Sequence, residues 1–190
     1  MAYIELGVDE LEYPGISGLM RYRPDTGRVI SELADILLSA PHSMTAGDRE
    51  LIGAYVSRLN ECDFCALSHS AVAAAQLDEG LPLVEQVLRD PETAQVSAKL
   101  RALLRIAGTV QDSGRKVTRE LVEAARAEGA SDNEIHDTVL IAASFCMVNR
   151  YVDGLGTFAY DDPDVYAEAA QGIIAVGYAT RLVPPVAQEQ

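Results

Sequence analysis

The run Cys62-Asp63-Phe64-Cys65-Ala66-Leu67-Ser68-His69 gathers two of the chain's three cysteines and one of its three histidines. Thiols three residues apart sit within one helical turn and can close into a reversible disulfide. His69, four residues beyond Cys65, lies one turn further along the same helix face, where it can take up or return a proton. Glu50 precedes Cys62 by twelve residues, on a segment of helical period and on the face of Ala54 and Ser57, which should pack inward. A carboxyl group turned into a core needs a partner. Two thiols, an imidazole and a carboxyl group so close in sequence suggest thiol redox chemistry with its own proton transfer.

A thiol must ionise to react. The helix carrying the run should begin at or just before Cys62, which puts both thiols in its first turn, where the dipole and free N–H groups favour negative charge. Glu61 and Asp63 act the other way, and Arg58 offsets part of their effect. Plainer readings stand beside this one. Glu50 is also placed well for a salt bridge or the surface, and His69 for a core or capping role. A structural zinc would need four ligands, which here means Cys62, Cys65, His69 and Glu50, with no second CxxC to complete the site.

The elements that must position these residues all have helical period. Helices are expected over 25–39, 45–59, 62–75, 83–89, 92–111, 118–128, 131–155 and 162–179. Pro24 opens the first, and Thr45 with Asp48 resembles a capping box with the shorter acid. Asn60-Glu61 is a tight break. Gly80-Leu81-Pro82 stops the helix of the CxxC run. Ser131 with Glu134 has true capping-box spacing before a long apolar helix. No strand-like alternation with a hairpin turn occurs. The expected fold is all-α, a compact orthogonal bundle of seven or eight helices. Residues 1–22 read as an irregular, apolar arm suited to an interface, 23–180 as one helical domain, and 181–190 as a loose tail.

The formal net charge of −14 and the presence of only two lysines, Lys99 and Lys116, argue against binding nucleic acid or an anionic membrane. The first residues lack a basic n-region and an apolar h-region, so no signal peptide is expected. The longest apolar candidate, 138–148, is too short to span a bilayer. A soluble cytoplasmic protein is the expectation, and in a reducing compartment a CxxC is more often catalytic or metal-binding than a structural disulfide. Cys146 reads as a packed core thiol, His136 as a surface or capping group, and His42 as a loop residue. Asn149, Arg150 and Asp153 suggest a buried polar network. Tyr151, Tyr160, Tyr166 and Tyr178 suit a subunit interface.

Glu50, eleven intervening residues, and the CxxC-xxx-His of Cys62, Cys65 and His69 resemble the signature of the alkyl hydroperoxidase D-like branch of the carboxymuconolactone decarboxylase family. Arg49-Glu50-Leu51-Ile52 and Ser68-His69-Ser70-Ala71 fit as well. Asn149-Arg150 with Asp153-Gly154-Leu155-Gly156, and Met20-Arg21-Tyr22-Arg23-Pro24, resemble blocks of its uncharacterised peroxidase-related subgroup. The resemblance spans about 20–180. It implies an all-helical fold assembled into trimers or hexamers and a thiol-dependent peroxidase acting on small hydroperoxides, recharged by a thiol or dithiol reductant. It implies no cofactor and no metal. Position by position, Cys65 would attack the peroxide, Cys62 would resolve the sulfenic acid as a disulfide, and Glu50 with His69 would relay protons. The family's best-known members carry another histidine just before the second cysteine, where this chain has Phe64. Decarboxylase members lack the CxxC. The alternative from another class is a non-catalytic helical module that uses the CxxC as a redox switch.

Overall fold

The computed structural model describes residues 1–182; of the tail expected over 181–190, Arg181 and Leu182 belong to the last helix, and the rest lies outside the described residues. Nine α-helices follow one another, and no strand occurs among the described residues. They are α1 (Ile16–Tyr22), α2 (Pro24–Ala34), α3 (Ala46–Leu59), α4 (Asp63–Ala74), α5 (Gly80–Arg89), α6 (Ala98–Ser113), α7 (Arg119–Ala127), α8 (Asp132–Gly154) and α9 (Pro163–Leu182). The all-α class expected from the sequence is the class observed. The count is higher because Ile16–Tyr22, read as part of the arm, is helical.

Local chemistry explains most of the boundaries. Thr45 accepts a hydrogen bond from Asp48 N at 3.0 Å and starts α3. Ser131 and Glu134 exchange both bonds of a capping box at the start of α8. Two boundaries differ from expectation. Asp90 turns the chain by accepting from Glu92 N at 3.0 Å and from the Thr93 hydroxyl at 3.1 Å, so α6 waits for the Ser97 cap. Gly80, at φ 61°, separates α4 from α5 but belongs to α5, with Pro82 in a first turn that does not use its N–H. The helix expected over 25–39 is α2 continued by a π turn, Asp35–Ser39.

Helices α3 and α4 form the most intimate pair; α9 lies across α4, and α8 packs on α3 and α6. The main core holds Leu51, Ile52, Val56, Val72, Leu103, Leu104 and Ile141. A smaller apolar cluster joins Leu6, Leu19 and Val152 to Cys62 and Cys65. Part of the arm therefore covers the thiols within the chain, while Tyr3, Ile4 and Leu11 stay exposed. No helix among the described residues is long and apolar enough to cross a membrane.

Candidate active site

The α3–α4 turn places the cysteines. Glu61 N donates to Arg58 O at 3.1 Å and Cys62 N to Ser57 O at 3.1 Å, the paired bonds that end a helix through a left-handed residue. Glu61 fills that left-handed position at φ 58°, where glycine is usual, at a cost on the order of 1 kcal/mol. The turn leaves Cys62 as the N-cap of α4 and Cys65 in its first turn, both buried and both free thiols.

The two thiols are neighbours, and their interaction splits their acidities. The contact with Cys65, then burial, pushes the Cys62 thiol far up. The contact with Cys62 pulls Cys65 below its ordinary value; burial opposes this, and His69 and Asn149 assist it.

Behind Cys65 lies a buried triad. Glu50, 1% exposed, accepts from His69 Nδ1 at 2.7 Å through Oε2 and from the Tyr178 hydroxyl at 2.7 Å through Oε1. A carboxylate only accepts, so Nδ1 carries the hydrogen and Nε2 remains to exchange a proton. Burial alone lowers the His69 pKa, but the Glu50 charge and hydrogen bond, with the Cys65 charge, outweigh it and the net shift is upward. Phe145 meets the imidazole edge-to-face at 4.5 Å, and a Cβ on Gly53 of α3 would clash with the Phe145 ring.

Cys65 and His69 line an apolar cavity of about 80 Å³. Its other walls include Leu33 and Leu37 on the α2 side, Met147 and Val148 of α8, and Ile173 of α9. Phe64 lines it too, packed edge-to-face on Tyr166 at 5.9 Å. Below the thiols, Asn149 accepts from Asn60 Nδ2 at 2.8 Å and donates to Ser57 Oγ at 3.1 Å.

Glu50, Cys62, Cys65 and His69 thus come together. Of the polar block in α8, only Asn149 is buried; Arg150 and Asp153 are exposed. Tyr178, read from sequence as an interface residue, is 4% exposed and belongs to the triad. It lies 109 residues from His69, and no local pattern marks it. Among the described residues, no group of three His, Cys, Asp or Glu side chains could hold a metal ion.

No protein-family model matches the chain, and no curated protein matches its sequence. Solved structures do. A protein of Ralstonia eutropha JMP134, described as an alkylhydroperoxidase AhpD core and an uncharacterized peroxidase-related protein, superposes with a TM-score of 0.73 at 26% identity, covering 81% of this chain and 79% of that one. An uncharacterized peroxidase-related protein of Silicibacter sp. TM1040 superposes with a TM-score of 0.73 at 21% identity over 81% of this chain and 78% of its own, which bears on fold alone. The fold is AhpD-like. Together with the sequence resemblance, the likeness to the Ralstonia protein supports an AhpD-like family.

Proposed function

We propose that the protein is a thiol-dependent peroxidase for small organic hydroperoxides. The observation that carries this reading is Cys65 on the wall of an apolar cavity that the Glu50-backed imidazole of His69 also lines. The Cys65 thiolate attacks the outer peroxide oxygen. An S–O bond forms, the O–O bond breaks, and the departing alkoxide takes a proton from His69 to leave as alcohol. Cys62 then attacks the Cys65 sulfenic sulfur. The S–S bond forms, the S–O bond breaks, and the Cys62 proton leaves with the hydroxide as water. An external thiol or dithiol supplies the two electrons that reopen the disulfide. The cavity is about half the ~150 Å³ of an engineered cavity that admits benzene, so it suits a small alkyl group.

The test is turnover with a dithiol reductant and several hydroperoxides, wild type against Cys65→Ser. Turnover that favours small alkyl hydroperoxides and vanishes in the variant is expected; equal turnover sinks the reading. The complete burial of both sulfurs favours one alternative, a redox switch without turnover. There, peroxide oxidises the pair once and no catalytic cycle follows. Exposed Tyr3, Ile4, Leu11, Val165, Ile174 and Val176 support a homo-oligomer, a trimer or dimer of trimers, which light scattering on dilute protein decides.

A further inference from the structure

We propose that Tyr178 is the positioning residue of the Glu50–His69 pair, delivered to it by an Asp35-clamped break in α9, and that this clamp governs how readily Cys65 gives up its proton. The inference rests on reading Cys65 as the reacting thiol.

Helix α9 is not continuous. Gly177 stands at φ 81° and ψ 169°, which interrupts the helical ladder and frees the amides that follow. Asp35 receives them: Tyr178 N donates to Oδ1 at 2.6 Å and Ala179 N to Oδ2 at 3.0 Å. One carboxylate thus caps the restarted turn with both oxygens. A Cβ at position 177 would lie 2.8 Å from Asp35 Oδ1, on a backbone conformation that L-residues avoid, so glycine is needed there twice over. Asp35 opens the π turn that follows α2, an irregularity frequent at functional sites.

The break delivers one group. The Tyr178 hydroxyl reaches Glu50 Oε1 at 2.7 Å and stands 3.2 Å from His69 Nδ1, with its ring stacked on the imidazole at 5.8 Å. Burial first, then Glu50, holds this hydroxyl well above its ordinary pKa, so it remains a fixed donor and does not carry protons itself. A hydrogen bond to the charged form favours that form. With Oε1 occupied by the Tyr178 hydroxyl, the Glu50 carboxylate is aimed at Nδ1 through Oε2. That charge favours the imidazolium of His69, and the imidazolium favours the thiolate of Cys65. The titratable groups acting on Cys65 are Cys62 and His69 from its own stretch of chain, Asp153 from α8, and Tyr166 and Tyr178 from α9, with Glu50 of α3 behind His69. Removing the hydroxyl leaves a buried carboxylate oxygen without a donor, which disfavours the charged form and relaxes the whole sequence.

The experiment is the pH profile of iodoacetamide alkylation of the reduced protein, located at Cys65 by mass spectrometry. Tyr178→Phe should raise the midpoint by about one pH unit, which is about tenfold less thiolate below the midpoint, with the high-pH plateau unchanged. Asp35→Asn, which keeps one of the two accepting oxygens, should shift the midpoint the same way by a smaller factor. Tyr166→Phe removes another buried hydroxyl, one that donates to Tyr160 O rather than to the triad, and should move the midpoint less than twofold in thiolate. An unmoved midpoint in Tyr178→Phe overturns the proposal, as does an equal shift in Tyr166→Phe. A shift in Tyr178→Phe with none in Asp35→Asn overturns the clamp. Alkylation needs no peroxide, so a protein without peroxide turnover would refute the peroxidase reading and leave this test standing.

Discussion

Glu50 and Glu134 are both buried glutamates, 1% and 2% exposed, yet their partners give them opposite characters. Glu134 accepts from Lys99 Nζ at 2.8 Å and from the Ser131 amide at 2.7 Å, at the positive end of α8. One partner is a permanent cation and the other cannot ionise. Burial acts to raise its pKa, but Lys99 and the cap outweigh it and hold the carboxyl down at about 2. No lysine or arginine is hydrogen-bonded to Glu50 among the described residues. Its partners are an imidazole and a phenol, and the imidazole can gain and lose a proton. The lesson is that a buried acid is fixed when its partners are fixed, and is able to act when they titrate.

The largest effect should come from breaking the titrating arrangement. Glu50→Gln keeps the shape and removes the charge, so peroxide turnover should fall by about 10²–10⁴-fold while circular dichroism shows an intact fold. Near-normal turnover would remove Glu50 from the mechanism and erase the contrast. Cys65 itself provides a second measure. Its lowered pKa means that alkylation in the wild type should have a midpoint below that of an ordinary thiol. Glu50→Gln should raise that midpoint, because His69 loses the charge that favours its protonated form. A midpoint indifferent to Glu50 would show that the neighbouring Cys62 thiol acts without help from the Glu50–His69 pair.

The fixed arrangement should respond in stability rather than turnover. Glu134→Gln loses the charge-assisted bond to Lys99 and weakens the capping box, at a cost of roughly 1–2 kcal/mol, read by denaturant unfolding, with turnover unchanged. The smallest effect sharpens the sign. A carboxyl whose folded pKa is depressed contributes stability that is fully present above its ordinary value near 4.5 and is lost as pH falls toward about 2. The unfolding curves of wild type and Glu134→Gln should therefore converge as pH falls through that window. A constant gap between them would show that Glu134 acts by packing and not by charge.

The two glutamates also differ in how far the sequence exposes them. Glu134 is legible from four residues, because a capping box is local: Ser131 and its N3 partner meet wherever a helix starts. The break at Asn60-Glu61 is equally local, and it places Cys62 at the head of α4. The spacing of Cys62, Cys65 and His69 follows from one helix. The inward face of Glu50 could be read from helical period, but its partners could not. Tyr178 reaches Glu50 across 128 residues, through a break that depends on Asp35 from a different helix. Asn149 is buried in an apolar helix in which Arg150 and Asp153 are exposed, and burial separates the three where polarity does not.

The sequence by itself determined the helical class, most helix starts, and the placing of Glu50, Cys62, Cys65 and His69 along two consecutive helices. These follow from caps, turns and a period of 3.6, all of which act over a few residues. Only the tertiary structure decided that α9 breaks at Gly177, that its tyrosine completes the triad, and that an apolar cavity opens beside Cys65. Those outcomes depend on which helix faces meet, and that is set by burial of surface from every part of the chain at once.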